Sequence, residues 1–257
     1  MQAILHIAGK EFRGYFSSMI GYLVLALFLL ITGYMFVKSV DIFVANIAQI
    51  RQMPWLKADP TKYIVTGIMD ILIFIMVFIA PAVTMRSLTS ESQQRTDRLL
   101  FTSPLSTSDI VLGKFLGIVG FLCLMIGVTL YVPLMALLVG SIDVGPIASG
   151  YLGMVLTILL FSAIGLFFSS LTRHQIIAFI LPMVTLLLLT LLGTFDSMQS
   201  GSGNSSFQSL LSYLSYSTHL SPFFAGKIDT KDLIYFLSLG SLFIFLTHQR
   251  LESRRWQ

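Results

Sequence analysis

The sequence predicts an all-α polytopic membrane protein: six spans, a helix lying in the interface before the first span, and one sizeable loop on the side of the termini. Three observations carry that prediction. Of 257 residues, 55% are hydrophobic and 11% charged, with a mean hydropathy of +0.85, whereas soluble domains carry roughly 25% charged residues. With 21 Phe and 12 Met, the apolar surface exceeds what one water-facing shell can cover, so a bilayer has to be the solvent. Finally, the charges leave six long gaps and divide unevenly between the two sides that those gaps define.

A charge at mid-bilayer costs roughly 2.5–3.5 kcal/mol, and a span needs about 20 apolar residues. The gaps between charges therefore mark the spans. They run over residues 14–37, 71–85 (back to 63 if Asp70 is tolerated), 115–142, 144–172, 174–195 and 233–249. The predicted spans are about 18–38, 63–85, 112–140, 147–171, 175–195 and 232–249. Between the third and fourth lies Ser141-Ile142-Asp143-Val144-Gly145-Pro146, a polar, Gly/Pro-containing turn suited to a tight hairpin. Pro133 and Pro182 fall within spans, where neighbouring helices can satisfy the freed carbonyls. Lys10 and Arg13 precede the first run as they would in a signal peptide. That run, however, is longer than a signal core and is followed by Lys38-Ser39-Val40-Asp41 instead of a small-residue cleavage site, so it is read as the first span.

An even number of spans places both termini on one side. That side carries ten cations, among them Lys10, Arg13, Arg86, Arg173, Arg254 and Arg255, which suit membrane-interface anchors, and five acids. The other side carries six cations and seven acids. By the positive-inside rule both termini are predicted to be cytoplasmic.

Function should reside in the loops. Ile4, Leu5, Ile7, Ala8, Phe12, Tyr15 and Phe16 recur at helical spacing beside a charged strip, which fits either an interfacial helix over about 3–17 or a flanking anchor of the first span. The cytoplasmic loop, 86–110, has a polar first half with Ser90 as a candidate N-cap. It then runs through Leu99-Leu100-Phe101 to Pro104. It reads equally as a docking surface for a soluble partner and as a solvated connector. On the far side, residues 41–62 carry Ile42, Phe43, Ile47 and Ile50 as one helix face, and Trp55 and Tyr63 suit a headgroup belt. The outer loop, 196–231, opens on a Gly/Ser-rich stretch. There Phe207, Leu210, Leu211 and Leu214 then form a helical stripe that reads as an interfacial cap or a contact for substrate or partner.

Several chemistries are missing. There is no phosphate-binding G-x-x-x-x-G-K-[ST] loop, H-E-x-x-H zinc helix or G-x-S-x-G nucleophile elbow. One cysteine, Cys123, inside an apolar run, excludes a disulfide framework and a thiolate metal site. His6, His174, His219 and His248 lie far apart, each near a predicted boundary, which favours separate interfacial side chains over a metal site. A net charge of +4 is too small and scattered for nucleic acid. Asp70 is the ionisable residue within a predicted span, open to two readings: part of an ion pathway, or a water-reachable position near the outer boundary. Energy for any transport is therefore expected from outside the chain.

The cytoplasmic loop resembles that of ABC-2 type exporter permeases, whose pattern is roughly Glu, then Gly-Thr-x-Glu-x-Leu-Leu-x-[Ser/Thr]-Pro, then Leu-Gly-Lys. Glu91, Thr96, Leu100, Ser103, Pro104, Leu112, Gly113 and Lys114 match in order and spacing. Arg95 stands where Gly is usual and Arg98 where Glu is usual; two extra cations change which partner surface is complementary. Along nearly the whole chain the sequence is similar to one subgroup, the gliding-motility (GldF-like) permeases. The similarity lies in Lys10-Glu11-Phe12 with Tyr15-Phe16-Ser17-Ser18 and Gly21-Tyr22, in Pro81-Ala82-x-Thr84-Met85-Arg86, in Ser169-Ser170-Leu171-Thr172-Arg173-x-Gln175, in Ile228-Asp229-Thr230-x-Asp232-Leu233, and in Leu251-Glu252-x-Arg254-Arg255-Trp256.

The resemblance implies a six-span permease of the ABC-2 (type V exporter) fold in the bacterial inner membrane. It implies pairing with a second permease copy or an auxiliary GldG-like membrane subunit, and with an ATP-binding cassette ATPase. ATP and Mg would be bound by that ATPase, and this chain would hold no cofactor. Residues 86–104 would be the coupling helix seated in an ATPase groove, with Glu91, Arg95, Thr96, Asp97 and Arg98 making docking contacts, Leu99, Leu100 and Phe101 seating it against the membrane domain, and Pro104 ending the docking segment. The outer loop would carry a re-entrant or interfacial helix. Two other classes fit the residues: a structural subunit of an envelope or motility complex, and an ion-coupled carrier centred on Asp70.

Overall fold

A computed structural model describes residues 2–51, 65–89, 106–136, 143–198 and 213–255. The described chain is helical, without strands. Nine helices follow one another among the described residues: α1 Gln2–Ser17, α2 Met19–Arg51, α3 Gly67–Thr84, α4 Thr107–Val128, α5 Tyr131–Ala136, α6 Val144–Leu171, α7 Gln175–Met198, α8 Tyr216–Phe224 and α9 Thr230–Arg255. Six stretches are long and apolar enough to cross a membrane: Gly21–Ala45, Gly67–Thr84, Thr107–Ala136, Val144–Leu171, Gln175–Gly193 and Thr230–Ser253.

Several helix boundaries differ from those read from charge. α2 continues past Lys38 and Asp41 to Arg51, so residues 41–51 are not a separate interfacial segment. The apolar run ends at Lys38, but nothing between Val37 and Arg51 is Gly or Pro, so nothing breaks the backbone ladder. Phe43, expected on an interfacial face, is buried. Residues 52–64, with Trp55 and Tyr63, lie outside the described residues. The third span is interrupted at Thr129-Leu130, between α4 and α5. Pro133 accounts for the break, since it supplies no N–H and its ring meets the carbonyl four residues back, that of Thr129. The Thr129 hydroxyl is satisfied locally, on the Ile126 carbonyl at 2.6 Å.

α6 is the axis of the bundle. It is apolar all round, as a helix buried by neighbours must be, and it packs against α3, α4, α7, α8 and α9. Met154, Ile158, Phe161 and Ile164 on α6 meet Met76 on α3 and Ile118, Leu122 and Met125 on α4 in one core. Small residues let the helices approach. A Cβ on Gly165 would strike the Thr84 side chain of α3, and one on Gly153 would lie 2.9 Å from Leu220 and Phe223 of α8. α2 and α7 flank this core, to which they contribute Phe28, Phe43 and Leu186. Leu23, Leu27 and Leu30 on α2 and Ile176, Ile180, Val184 and Leu188 on α7 are exposed, which in water would be unfavourable and in lipid or against another chain is not.

α1 lies along α4. A Cβ on Gly113 would come 2.7 Å from Ile7 and one on Gly117 2.7 Å from Glu11, whereas Gly120 leaves 3.5 Å to the Phe12 ring. Tyr15 stacks on Phe121 of α4 at 4.7 Å, and Phe16 meets the same ring edge-on at 5.6 Å. The two glycines are thus a seam, with the polar face of α1 outward. At the opposite end α8 closes with a Schellman motif: Lys227 N–H donates to Pro222 and Gly226 N–H to Phe223. Gly226 stands at φ +82°, which its lack of a Cβ permits.

Candidate functional site

The docking residues predicted from sequence, Glu91, Arg95, Thr96, Asp97, Arg98, Leu99, Leu100, Phe101 and Pro104, lie outside the described residues, as does Ser90. Both ends of that loop are described, and both are fastened. On the incoming side Met85–Leu88 form turns and the backbone folds against the C-terminal end of α6. Ser169 Oγ accepts the Leu88 N–H at 3.2 Å, Thr89 Oγ1 donates to the Ser169 carbonyl at 3.2 Å, and the two hydroxyls are 3.1 Å apart. On the outgoing side Ser106 opens α4 with a capping box: its Oγ accepts the Asp109 N–H at 3.1 Å, and the Asp109 carboxylate accepts back from the Ser106 hydroxyl at 2.6 Å and its N–H at 3.4 Å. Residues 107–110, read from sequence as part of the loop, are the first turn of α4.

The two sides are joined by Lys114. Its residue surface is 4% exposed, its ammonium donates to the Ser87 carbonyl at 2.6 Å, and it lies 3.7 Å from the Glu11 carboxylate of α1. A buried ammonium demands such partners, because desolvation without them costs several kcal/mol. Tyr15 completes the joint by donating to the Val83 carbonyl at 3.3 Å. Burial, with a smaller contribution from the Glu11 carboxylate, pushes its phenol well above the usual range, so it remains a donor. Four helices, α1, α3, α4 and α6, therefore meet around residues 83–89.

The anchors predicted from charge lie at this same end. Lys10, Arg13, Arg86 and Arg173 are exposed there, and Arg254 and Arg255 form the last turn of α9, their side chains outside the described set. The Phe167–Phe243 contact at 5.6 Å brings the C-terminal half of α9 beside that of α6, and so to the end where Ser169 meets Thr89.

The opposite end holds a cavity of about 590 Å3 between α3, α7 and α8. Asp70 lines it, together with Thr66, Thr190, Tyr216, Ser217 and Ser221. The Asp70 side chain is exposed at this cavity. Nearby, a buried pair departs from expectation. His219, expected as a separate interfacial side chain, is 4% exposed and bonds the 1% exposed Asp232 at 2.7 Å through Nδ1. Its Nε2 faces the Tyr213 carbonyl at 3.0 Å, and Tyr235 stacks on the ring at 4.0 Å. Nothing local to His219 or Asp232 signals a partner 13 positions away.

A family model described as ABC-2 family transporter protein matches residues 5–247. The chain belongs to the ABC-2 transporter family. No curated protein matches it significantly. Residues 5–247 take in five of the six apolar stretches, most of the sixth, the loop and both of its fastened ends. In this ABC-2 protein both ring nitrogens of His219 are occupied, and no cluster of three metal-ligating side chains occurs among the described residues. Of the residues that matter at the loop's base, Lys114 and Ser169 stand only inside longer motifs of the sequence, and Ser87 stands in none of them. A signal for Lys114 did exist, since it is the cation that abuts a 28-residue charge-free run and so must either snorkel or find partners.

Proposed function

We propose that the chain is the transmembrane permease subunit of an ATP-binding cassette transporter of the bacterial inner membrane. A separate ATPase subunit hydrolyses ATP with Mg, and the permease couples that hydrolysis to export or to force transmission. The observation that carries this reading is the fastening of the loop base: Ser169 of α6, Lys114 of α4 and, through Lys114, Glu11 of α1 hold residues 87–89. A displacement of residues 90–105 by a partner would reach four helices without first melting a flexible joint. In this reading Glu91, Arg95, Thr96, Asp97 and Arg98 meet the ATPase, Leu99, Leu100 and Phe101 seat the segment, and Pro104 ends it. Both termini are cytoplasmic.

The exposed apolar faces of α2 and α7 suit lipid and a second membrane subunit, either another copy or an auxiliary GldG-like protein, within the gliding-motility permease subgroup. The ion-coupled carrier is disfavoured because Asp70 is the sole carboxylate among the described residues of its cavity, whereas a relay needs a succession of sites. The test is co-purification from native membranes, followed by Glu91→Ala with Arg98→Ala. The double variant should insert normally, lose the co-purifying ATPase and uncouple hydrolysis from transport. Retention of the ATPase with unchanged, coupled hydrolysis would overturn the proposal.

A further inference from the structure

The cavity of about 590 Å3 at the end opposite the loop lies within the roughly 300–1,000 Å3 of small-ligand sites. Its lining is divided by chemistry. Asp70, Thr190, Tyr216, Ser217 and Ser221 bring oxygen atoms to it, and Ile73, Phe74, Leu220 and Phe224 form an apolar wall.

The hydrogen bonds behind the oxygen side fix which way its hydroxyls point, because each has one hydrogen to give. Thr190 Oγ1 gives its own to the Leu186 carbonyl at 2.8 Å, so in the 3.0 Å contact with the Tyr216 hydroxyl the phenol is the donor. Ser215 Oγ likewise donates to the Leu189 carbonyl at 3.0 Å, so Ser217 donates to Ser215 across 3.0 Å. Thr190, Tyr216 and Ser217 therefore have no hydrogen left for an anion, and Ser217, half-buried at the cavity, keeps its lone pairs. Asp70 adds a carboxylate, which can only accept. It stands in the first turn of α3, where the helix dipole favours the anion. Its side chain is exposed and enters no hydrogen bond or ion pair among the described residues. No cation occurs among the described residues of the lining. The complement of such a site is a cation rich in N–H donors. Its body has to be apolar to cover the opposite wall, where the rings of Phe74 and Phe224 also attract an ammonium through their quadrupoles.

We propose that this cavity binds an organic ammonium ion, a protonated primary amine on an apolar body, with its N–H groups on Asp70 and Ser217 and its body along Phe74, Leu220 and Phe224. An inorganic cation would satisfy Asp70 and leave the apolar wall uncovered. An aminolipid head group brings a phosphate as well, for which the described lining offers no cation. The site uses residues of this chain alone, so it stands or falls independently of any ATPase.

The test uses the full chain purified in a neutral detergent and titrated calorimetrically with phenethylammonium, with the heat of the detergent alone subtracted. One saturable site per chain is expected. Phenethyl alcohol, which has the same body without the charge, should not compete, nor should sodium ions or phosphatidylethanolamine at the concentration of the amine. Asp70→Asn should weaken binding about tenfold or more, as the loss of one charge-assisted hydrogen bond does. Ser221→Phe, which fills the cavity with Asp70 in place, should abolish it. Asp41→Asn removes an exposed carboxylate of α2 that does not line the cavity, and should leave binding unchanged. Ligand-free melting curves verify that the three variants fold. Uptake without saturation, competition by the alcohol, displacement by sodium or by phosphatidylethanolamine, or equal weakening by Asp41→Asn and Asp70→Asn would each overturn the proposal.

Discussion

The Lys114 ammonium donates to the Ser87 carbonyl at 2.6 Å across 27 residues of chain, and so bridges the two ends of the loop between α3 and α4. Replacing it with methionine keeps the stem and removes the charge. The Ser87 carbonyl is then left buried without that donor, and a charge-assisted bond of this kind contributes about 1.5–3 kcal/mol. Lys114→Met should therefore lower stability by about 2 kcal/mol. Glu11→Gln should cost under about 1 kcal/mol, because at 3.7 Å the pair is longer than a hydrogen bond and the Glu11 carboxylate is partly exposed. Unfolding of the two detergent-solubilised variants gives the comparison; equal losses would mean that the ion pair, not the carbonyl bond, holds Lys114.

The α1–α4 seam predicts a graded response to methyl groups. Gly113→Ala and Gly117→Ala each place a Cβ within 2.7 Å of α1, whereas Gly120→Ala meets ordinary contact at 3.5 Å. Overpacking of this sort costs about 1–3 kcal/mol. The double variant G113A/G117A should release α1 and speed tryptic cleavage after Lys10 and Arg13, with G120A cleaved at the wild-type rate. Identical digestion of all three would show that α1 is not held by this seam.

How much of this was legible in the sequence follows from which constraint was at work. A bilayer imposes length and apolarity, both local properties, so six apolar runs could be read from the gaps between charges. Helix ends were less legible. Lys38 ends an apolar run but does not stop a helix, and α2 runs on to Arg51; Pro133 can be read as a kink but not as the break at Thr129. Pairings between distant residues left no local mark. His219 and Asp232 look like two separate boundary residues, and Ser169 like one of many serines. The loop between α3 and α4 reads as a docking segment through resemblance, and its residues from Ser90 to Leu105 lie outside the described residues; what is described is the fastening of its two ends.

The His219–Asp232 pair should behave as a buried ion-pair partner set does. Removing one member leaves the other uncompensated, which costs about 3–5 kcal/mol, while replacing both with apolar groups of similar volume costs far less. His219→Ala and Asp232→Ala are expected to melt well below the parent, and the double variant His219→Phe with Asp232→Leu to recover most of the loss. Asp232 Oδ2 is already without a partner among the described residues, which makes the carboxylate the more damaging group to leave behind. Additive losses in the double variant would argue against coupling of the two.

Ser169 offers the sharpest test of whether the base of the loop transmits motion. Its hydroxyl accepts from the Leu88 N–H and pairs with Thr89, whereas the neighbouring Ser170 bonds only the Phe167 carbonyl three residues back in its own helix. Ser169→Ala orphans a buried N–H, at about 1–3 kcal/mol, and loosens the loop from α6 while leaving the Thr89 bond to the main-chain carbonyl. Ser170→Ala should be close to neutral. If the loop is a lever, the Ser169 variant assembled with its ATPase should hydrolyse ATP at a rate no longer tied to transport, and Ser170→Ala should remain coupled. Loss of stability in Ser169→Ala with coupling intact would make the clasp structural, and the force would then have to enter through α4, where Ser106 and Asp109 lock the other end of the same loop.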